Sequence, residues 1–126
     1  PLKPDKPTGP NSGKIGREYS YHTITTDPDG DQLFYQWDWG DDSFSQWIGP
    51  YNSGEEISAS HSWSEGSYNI KVKSKDIHNE ESNWSDPLPI SMPKNKQSYQ
   101  QFLQFFNCIM EKLWDVFLMF KLILKL

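Results

Sequence analysis

Up to about residue 93 the apolar side chains fall on every second position, and from about residue 97 they fall on every third or fourth. The first rhythm is that of strands with one buried face, and the second is that of an amphipathic helix. Residues 17–25 place Tyr19, Tyr21 and Thr23 on one face. Leu33, Tyr35, Trp37 and Trp39 share a face, with Phe34, Gln36 and Asp38 opposite, which makes the first set the best core candidate in the chain. Ile57, Ala59, His61 and Trp63 alternate next. Tyr68, Ile70, Val72 and Ser74 follow, and the opposite face of Lys71, Lys73 and Lys75 must be wet. Leu88, Ile90 and Met92 close the series beside Pro87 and Pro89. Prolines at 4, 7 and 10 suit residues 4–13 to an edge strand, since proline removes a ladder donor. Turn chemistry separates these segments at Asp27-Pro28-Asp29-Gly30-Asp31, Gly40-Asp41-Asp42-Ser43 and Ser64-Glu65-Gly66, with residues 49–54 a loop. About seven strands in about ninety residues predict an all-β, immunoglobulin-like β-sandwich over residues 1–92.

After a linker at 93–97, residues 98–126 predict a C-terminal amphipathic α-helix. Leu103, Phe106, Met110, Leu113, Phe117, Phe120 and Leu124 are spaced 3, 4, 3, 4, 3, 4, which is a heptad seam. Phe102, Phe105, Ile109, Trp114, Val116, Leu118, Leu122, Ile123 and Leu126 widen it. They leave a narrow polar stripe of Gln100, Gln104, Asn107, Glu111 and Asp115, with Lys121 and Lys125 near the end. A helix of about 30 residues is about 45 Å long, longer than one face of a small sandwich. Each large apolar side chain left in water forgoes about 1.5–3 kcal/mol, so the helix predicts a partner. The expected partner is a further copy of the chain, in an oligomer or filament. A membrane surface or the cell envelope comes second, and the helix folding back on its own domain third. Spanning a bilayer is disfavoured, because Glu111, Lys112, Asp115 and Lys121 interrupt any window of about twenty residues at about 2.5–3.5 kcal/mol each.

The 126 residues leave room for one ordinary domain and an appendage, which excludes a large multidomain enzyme. The net charge of -5 hides a split: residues 1–93 carry seven Lys/Arg against fifteen Asp/Glu, and residues 94–126 carry five against two. Neither an acidic piece nor a tail without a dense Lys/Arg stripe suits a phosphate backbone, so no nucleic acid is expected as a partner. The aromatic residues divide at the same place, five of six Trp before residue 93 and five of seven Phe after it. A single cysteine, Cys108, excludes an internal disulfide framework and a cysteine-based zinc site. The chain begins at Pro1 with no charged segment leading into an apolar one, as expected of a mature product or an excised fragment.

Trp37-Asp38-Trp39-Gly40-Asp41-Asp42, then His61-Ser62-Trp63, then Gly66-Ser67-Tyr68 running on to Asp76, closely resembles the pattern of PKD (polycystic kidney disease) domains. In that family an aromatic-Asp-aromatic-Gly-Asp-Gly strand precedes His-Thr-Tyr, a Gly-Thr-Tyr strand and a terminal Thr-Asp. The resemblance covers roughly residues 5–92, with Asp42 for the usual Gly, Trp63 for Tyr, and Ser74-Lys75 before Asp76. The Asp27 to Asp31 turn and the ending Trp84-Ser85-Asp86-Pro87-Leu88-Pro89 resemble repeats of archaeal and bacterial surface proteins. The resemblance implies an extracellular β-sandwich used as a spacer, in adhesion, or beside the catalytic domain of a secreted enzyme.

Asp27, Asp29 and Asp31 around Gly30 gather three carboxylates at one turn, and hard oxygen donors so arranged suit Ca²⁺. The competing reading is Asx capping and solvated charge. An EF-hand is excluded, since its downstream Glu is missing. Asp76, or Asp41 and Asp42, completes such a site only if the fold brings it near. Asp38, Asp41 and Asp42 could be paired acids of a glycosidase. In the PKD-like stretch, however, they are better placed to accept backbone hydrogen bonds at the strand-to-turn junction. His22, His61 and His78 show neither HExxH spacing nor a Gly-x-Ser-x-Gly companion, so no catalytic site is expected, and no cofactor other than calcium. Trp47, Tyr51 and Trp84 lie beside loops. They could form a sugar-stacking platform, but large aromatics are mostly buried, so Trp47 is expected to cover one end of the core. Asn83-Trp84-Ser85 is an N-glycosylation acceptor triplet, sensible on the surface of an exported protein. The combined expectation is a non-catalytic structural or adhesion module of a cell-surface or secreted protein, self-assembling through its C-terminal helix. The alternative is a carbohydrate-binding accessory module of a secreted hydrolase.

Overall fold

Among the described residues, six strands and one helix follow one another: β1 (Tyr19–Thr23), β2 (Leu33–Asp38), β3 (Ile48–Tyr51), β4 (Ile57–His61), β5 (Gly66–Asp76), β6 (Leu88–Met92) and α1 (Lys96–Leu124). The structure, a computed structural model, describes residues 1–94 and 96–124, with side-chain surroundings for 1–94 and 101–124. The expectations for Asn95, Lys125, Leu126 and the Gln100 side chain lie outside the described residues. The chain divides into two units, Pro1–Lys94 and Asn95–Leu126.

In the first unit β1 pairs with β4 in one antiparallel sheet, and β3-β2-β5-β6 form a second. The two-residue alternation decides what is buried. Leu33, Tyr35 and Trp37 of β2 point inward with Ile70 and Val72 of β5, Ile90 and Met92 of β6, Tyr21 of β1 and Ile57 of β4. Each such side chain is worth about 1.5–3 kcal/mol on burial. Trp39 and Trp63 complete this core: Trp37 stacks on Trp39 at 5.3 Å, Tyr21 meets Trp63 edge-on at 5.7 Å, and Trp63 Nε1 donates to the Trp39 carbonyl at 3.0 Å.

Strand β5 runs eleven residues and organises the larger sheet, pairing with β2 on one side and with β6 from Gly66 to Ile70 on the other. Past Ile70 that second edge is covered by the loop leading into β6. Ser85 N–H donates to the Val72 carbonyl and Ser82 N–H to the Ser74 carbonyl, both at 2.8 Å. In return Val72 N–H donates to Ser85 Oγ and Ser74 N–H to Ser82 Oγ, both at 3.0 Å. Two serine hydroxyls thus stand in for ladder carbonyls.

The strand count is six where about seven were expected, and the difference lies in residues 4–13, which form no regular strand. Leu2, Asp5 and Thr8 donate to the carbonyls of Thr26, Ile24 and His22 at 2.9, 3.0 and 2.9 Å. That three-residue repeat is the period of a polyproline II segment, and it leaves Pro4, Pro7 and Pro10 at positions that need no donor. Inward side chains tie the segment down: Tyr21 OH donates to Pro10 O at 2.7 Å, Thr23 Oγ1 to Asp5 O at 2.7 Å and Thr25 Oγ1 to Leu2 O at 2.8 Å. The chain then changes sheets, with Ser12 bridging in parallel to Ser91 of β6.

A second difference is β3, whose residues from Gly49 to Tyr51 fall in the stretch read as a loop. It sits on the outer edge of the larger sheet and pairs with β2 only at Leu33 with Tyr51 and Tyr35 with Ile48, across a register shift. An edge tolerates Pro50, and so short an irregular strand displays no alternation.

In the second unit α1 begins at Lys96, inside the stretch read as linker, and carries Lys121 in its last turn, where a cation suits the helix dipole. Trp114 and Phe117 approach at 5.9 Å, and Lys121 Nζ lies 5.6 Å over the Phe117 ring. From residue 101 to 124 every side chain is exposed except the half-exposed Leu103. Among the described residues no helix is long and apolar enough to cross a membrane.

Candidate functional site

Asp27 follows β1, Asp31 precedes β2, and Asp76 ends β5. Antiparallel pairing sets Leu33 opposite Asp76, which brings the end of β5 beside the turn between β1 and β2. One carboxylate oxygen from each of Asp27, Asp31 and Asp76 lies within 4.8 Å of the others. Asp29, the third aspartate of the expected site, is not among them. Its carboxylate is exposed, and its N–H donates to Asp27 Oδ1 at 2.8 Å in an Asx turn. The buried Asp27 also places Oδ2 3.2 Å from the Pro1 nitrogen. Asp76 Oδ1 accepts the N–H groups of His78 at 2.8 Å and Glu80 at 3.1 Å. Burial alone raises the Asp27 carboxyl, but the Asp29 N–H, the Pro1 nitrogen and the Asp31 N–H outweigh it and hold the group below its ordinary value. An ionised Asp27 beside two further carboxylates is a donor set for a hard cation. Part of the same set already serves as backbone caps.

The histidines lie apart from this corner's chemistry or only at its rim. His78 Nε2 is 3.8 Å from Asp31 Oδ2, and His22 Nδ1 is 3.9 Å from Glu56 Oε1. His61 stacks flat on Trp39 at 4.7 Å, and its Nε2 meets Asp41 Oδ2 at 2.8 Å. Asp41 Oδ1 in turn accepts the Ser43 hydroxyl and the Ser43 N–H. The carboxylate sits between serine and histidine, so the imidazole is out of line to take the serine proton, and the arrangement is a clamp on the turn after β2. Asp38 acts in the same way, its Oδ1 accepting the Gly40 N–H at 2.9 Å.

The outward face of the larger sheet gathers residues that the sequence left in separate segments. Lys71, Lys73 and Lys75 alternate along β5, flanked by Trp84 from the following loop and Trp47 from the approach to β3. Lys73 Nζ lies 4.8 Å over the Trp84 ring and Lys75 Nζ 4.5 Å over the Trp47 ring. Lys75 also reaches Phe34 at 5.9 Å, and Phe44 tilts against Trp84 at 6.3 Å. Trp47 therefore does not cover an end of the core: it is half-buried on the opposite side of the sheet. The lysines expected to be wet are half-buried too, their stems lying along aromatic rings. Tyr51 packs against the core and meets Tyr35 at 6.1 Å. No local pattern announces this ladder, because it depends on which strands pair. Asn83 is exposed, whereas Ser85 of the same triplet is buried with its hydroxyl engaged by Val72. On α1 the expected seam residues Phe106, Met110, Leu113, Phe117, Phe120 and Leu124 are all exposed.

Two antiparallel sheets of short strands closed over a tryptophan-rich core define an immunoglobulin-like β-sandwich. No protein-family model matches the chain, and no curated protein does. Among solved structures, the PKD domain of an M14-like peptidase from a Thermoplasmatales archaeon is similar at 48% identity and a TM-score of 0.69. That similarity covers 75% of this chain and 96% of that one. The chain belongs to the PKD domain family.

Proposed function

We propose that the chain is a non-catalytic extracellular module of a cell-surface or secreted protein, acting as a spacer or in adhesion, and that α1 assembles it with further copies into an oligomer or filament. Membership of the PKD family supports the module, and the relative's place in a peptidase supports an accessory role beside other domains. The observation that carries assembly is the ring of exposed large apolar side chains on α1. Water exposure of that many such groups at about 1.5–3 kcal/mol each favours burial against a partner. The test is the molar mass of the full-length chain by light scattering, with Phe106→Glu/Phe117→Glu beside it. Assembly in the parent and its loss in the variant are expected, and equal masses contradict the reading. Binding of both proteins to lipid vesicles, without any change in copy number, would instead assign α1 to a membrane surface.

The second reading is a carbohydrate-binding accessory module, favoured by Trp47 and Trp84 sharing one outward sheet face. Lysines lie over both rings, so a sugar has to displace them to stack. Retention on insoluble polysaccharide, lost in Trp47→Ala/Trp84→Ala, is the expected result, and no retention by the parent counts against it.

Calcium at the acidic corner belongs to the first reading, as a clamp between the start of β2 and the end of β5. Its ligands are Asp27, Asp31 and Asp76, with Asp29 outside. A rise in melting temperature with Ca²⁺ that disappears in Asp76→Asn supports it. The absence of any rise contradicts it.

A further inference from the structure

A second apolar seam runs along α1 beside the first. Phe102, Phe105, Ile109, Val116, Met119 and Ile123 repeat the heptad one residue ahead of Leu103, Phe106 and their successors, with Lys112 at the one polar position between Ile109 and Val116. A shift of one residue is a rotation of about 100° around the helix. Both seams are exposed but for the half-exposed Leu103, while Gln104, Asn107, Glu111 and Asp115 occupy the remaining arc, which Trp114, Leu118 and Leu122 continue as a shorter apolar stripe toward the C-terminal end.

We infer that α1 uses both seams at once, so that each copy meets two neighbours in a closed ring of about four or five chains rather than a pair. This rests on the self-association proposed above and specifies its geometry. A pair covers one seam of each helix and leaves the other wet. Large side chains exposing roughly 100 Å² apiece make that residual patch about 600 Å², at the upper end of the largest patches that monomeric surfaces expose. Covering both seams buries about 1,200 Å² on each copy, about 600 Å² at each of its two contacts, so each contact removes about 1,200 Å² in total, the lower limit of a specific interface. The angle then sets the number. Neighbours lie about 90° apart around each member of a four-membered ring and about 108° apart in a five-membered one, and the seams are separated by about 100°. Packing the first seam of one copy against the second seam of the next is a head-to-tail contact, which closes when the rotation matches. Lys112 lies within the second seam, where its stem packs and its ammonium reaches outward, with Asp115 one turn along.

Light scattering on the full-length chain tests the ring. The parent is expected at the mass of four or five copies, and Phe105→Glu/Met119→Glu, which charges only the second seam, is expected to fall to a dimer. Lys112→Leu completes the second seam and is expected to hold the ring to lower protein concentration. Tryptophan fluorescence of the sandwich, read in a Trp114→Phe background and unchanged across the set, confirms that each variant folds. A dimeric or filamentous parent, or a second-seam variant of parental mass, overturns the ring and leaves self-association standing. A monomeric parent overturns both.

Discussion

Asp42 adopts φ 64 in the turn after β2, in the left-handed region, at the position where the PKD pattern carries glycine. A non-glycine residue there costs about 1 kcal/mol, so Asp42→Gly is expected to stabilise the sandwich by about 0.5–1 kcal/mol in chemical denaturation. Gly40, two residues earlier, is the opposite case. Its φ is 77, and an added Cβ would lie 2.5 Å from the Asn69 carbonyl oxygen, so Gly40→Ala is expected to cost about 2 kcal/mol or more. A gain from Gly40→Ala, or a loss from Asp42→Gly, would contradict this account of the turn. Tyr35 governs the alkaline limit. Its hydroxyl is buried with no well-formed hydrogen bond among the described residues, and burial, only partly offset by the nearby Thr25 N–H, pushes its pKa up to about 12. Burial, with Tyr19 nearby, raises Tyr21 as well. A raised folded pKa means that the unfolded chain releases the proton first. Stability is therefore full below about pH 10 and is lost as the pH rises toward about 12. Tyr35→Phe is expected to flatten that loss and to be neutral or mildly stabilising at pH 7. Asp41 acts with the opposite sign at the acid end. Burial raises it, but the Ser43 hydroxyl, His61 and the Ser43 N–H lower it further. Its contribution is present above about pH 4 and is lost as the pH falls through the depressed value.

At the scale of elements, the loop after β5 behaves as a strand made of side chains. Ser85→Ala leaves the buried Val72 N–H without an acceptor and is expected to cost about 1–3 kcal/mol. Asn83→Gln, two residues away on the surface, is expected to stay within about 0.5 kcal/mol of the parent. Equal effects would contradict the assignment of the serine hydroxyl to β5. The same contrast explains what the sequence reveals. β2 and β5 are legible because both faces of a central strand leave their mark in alternation: Leu33, Tyr35 and Trp37 against Phe34, Gln36 and Asp38. β3 and the proline-rich start are not, since an edge held by two pairings, or by Thr23 and Thr25 hydroxyls, imposes no period. The acidic turn is legible at Asp27 and Asp31. That Asp76 rather than Asp29 joins them follows from the register of β2 on β5, which no local pattern encodes. The Trp47 and Trp84 ladder is hidden for the same reason, its members lying in segments joined only by sheet pairing.

At the scale of the whole chain, two units answer to two different physical demands. The sandwich buries its tryptophans and tyrosines internally and carries the acidic charge, whereas α1 exposes apolar side chains along nearly its whole described length. The first is a folded unit with its own core, and the second is an apolar surface that the proposed assembly would cover. The most direct measurement compares the molar mass in solution of the full-length chain with that of a chain ending at Lys94. The account predicts a multimer for the first and a well-folded monomer for the second. A monomer in both cases, or the same multimer in both, would contradict it.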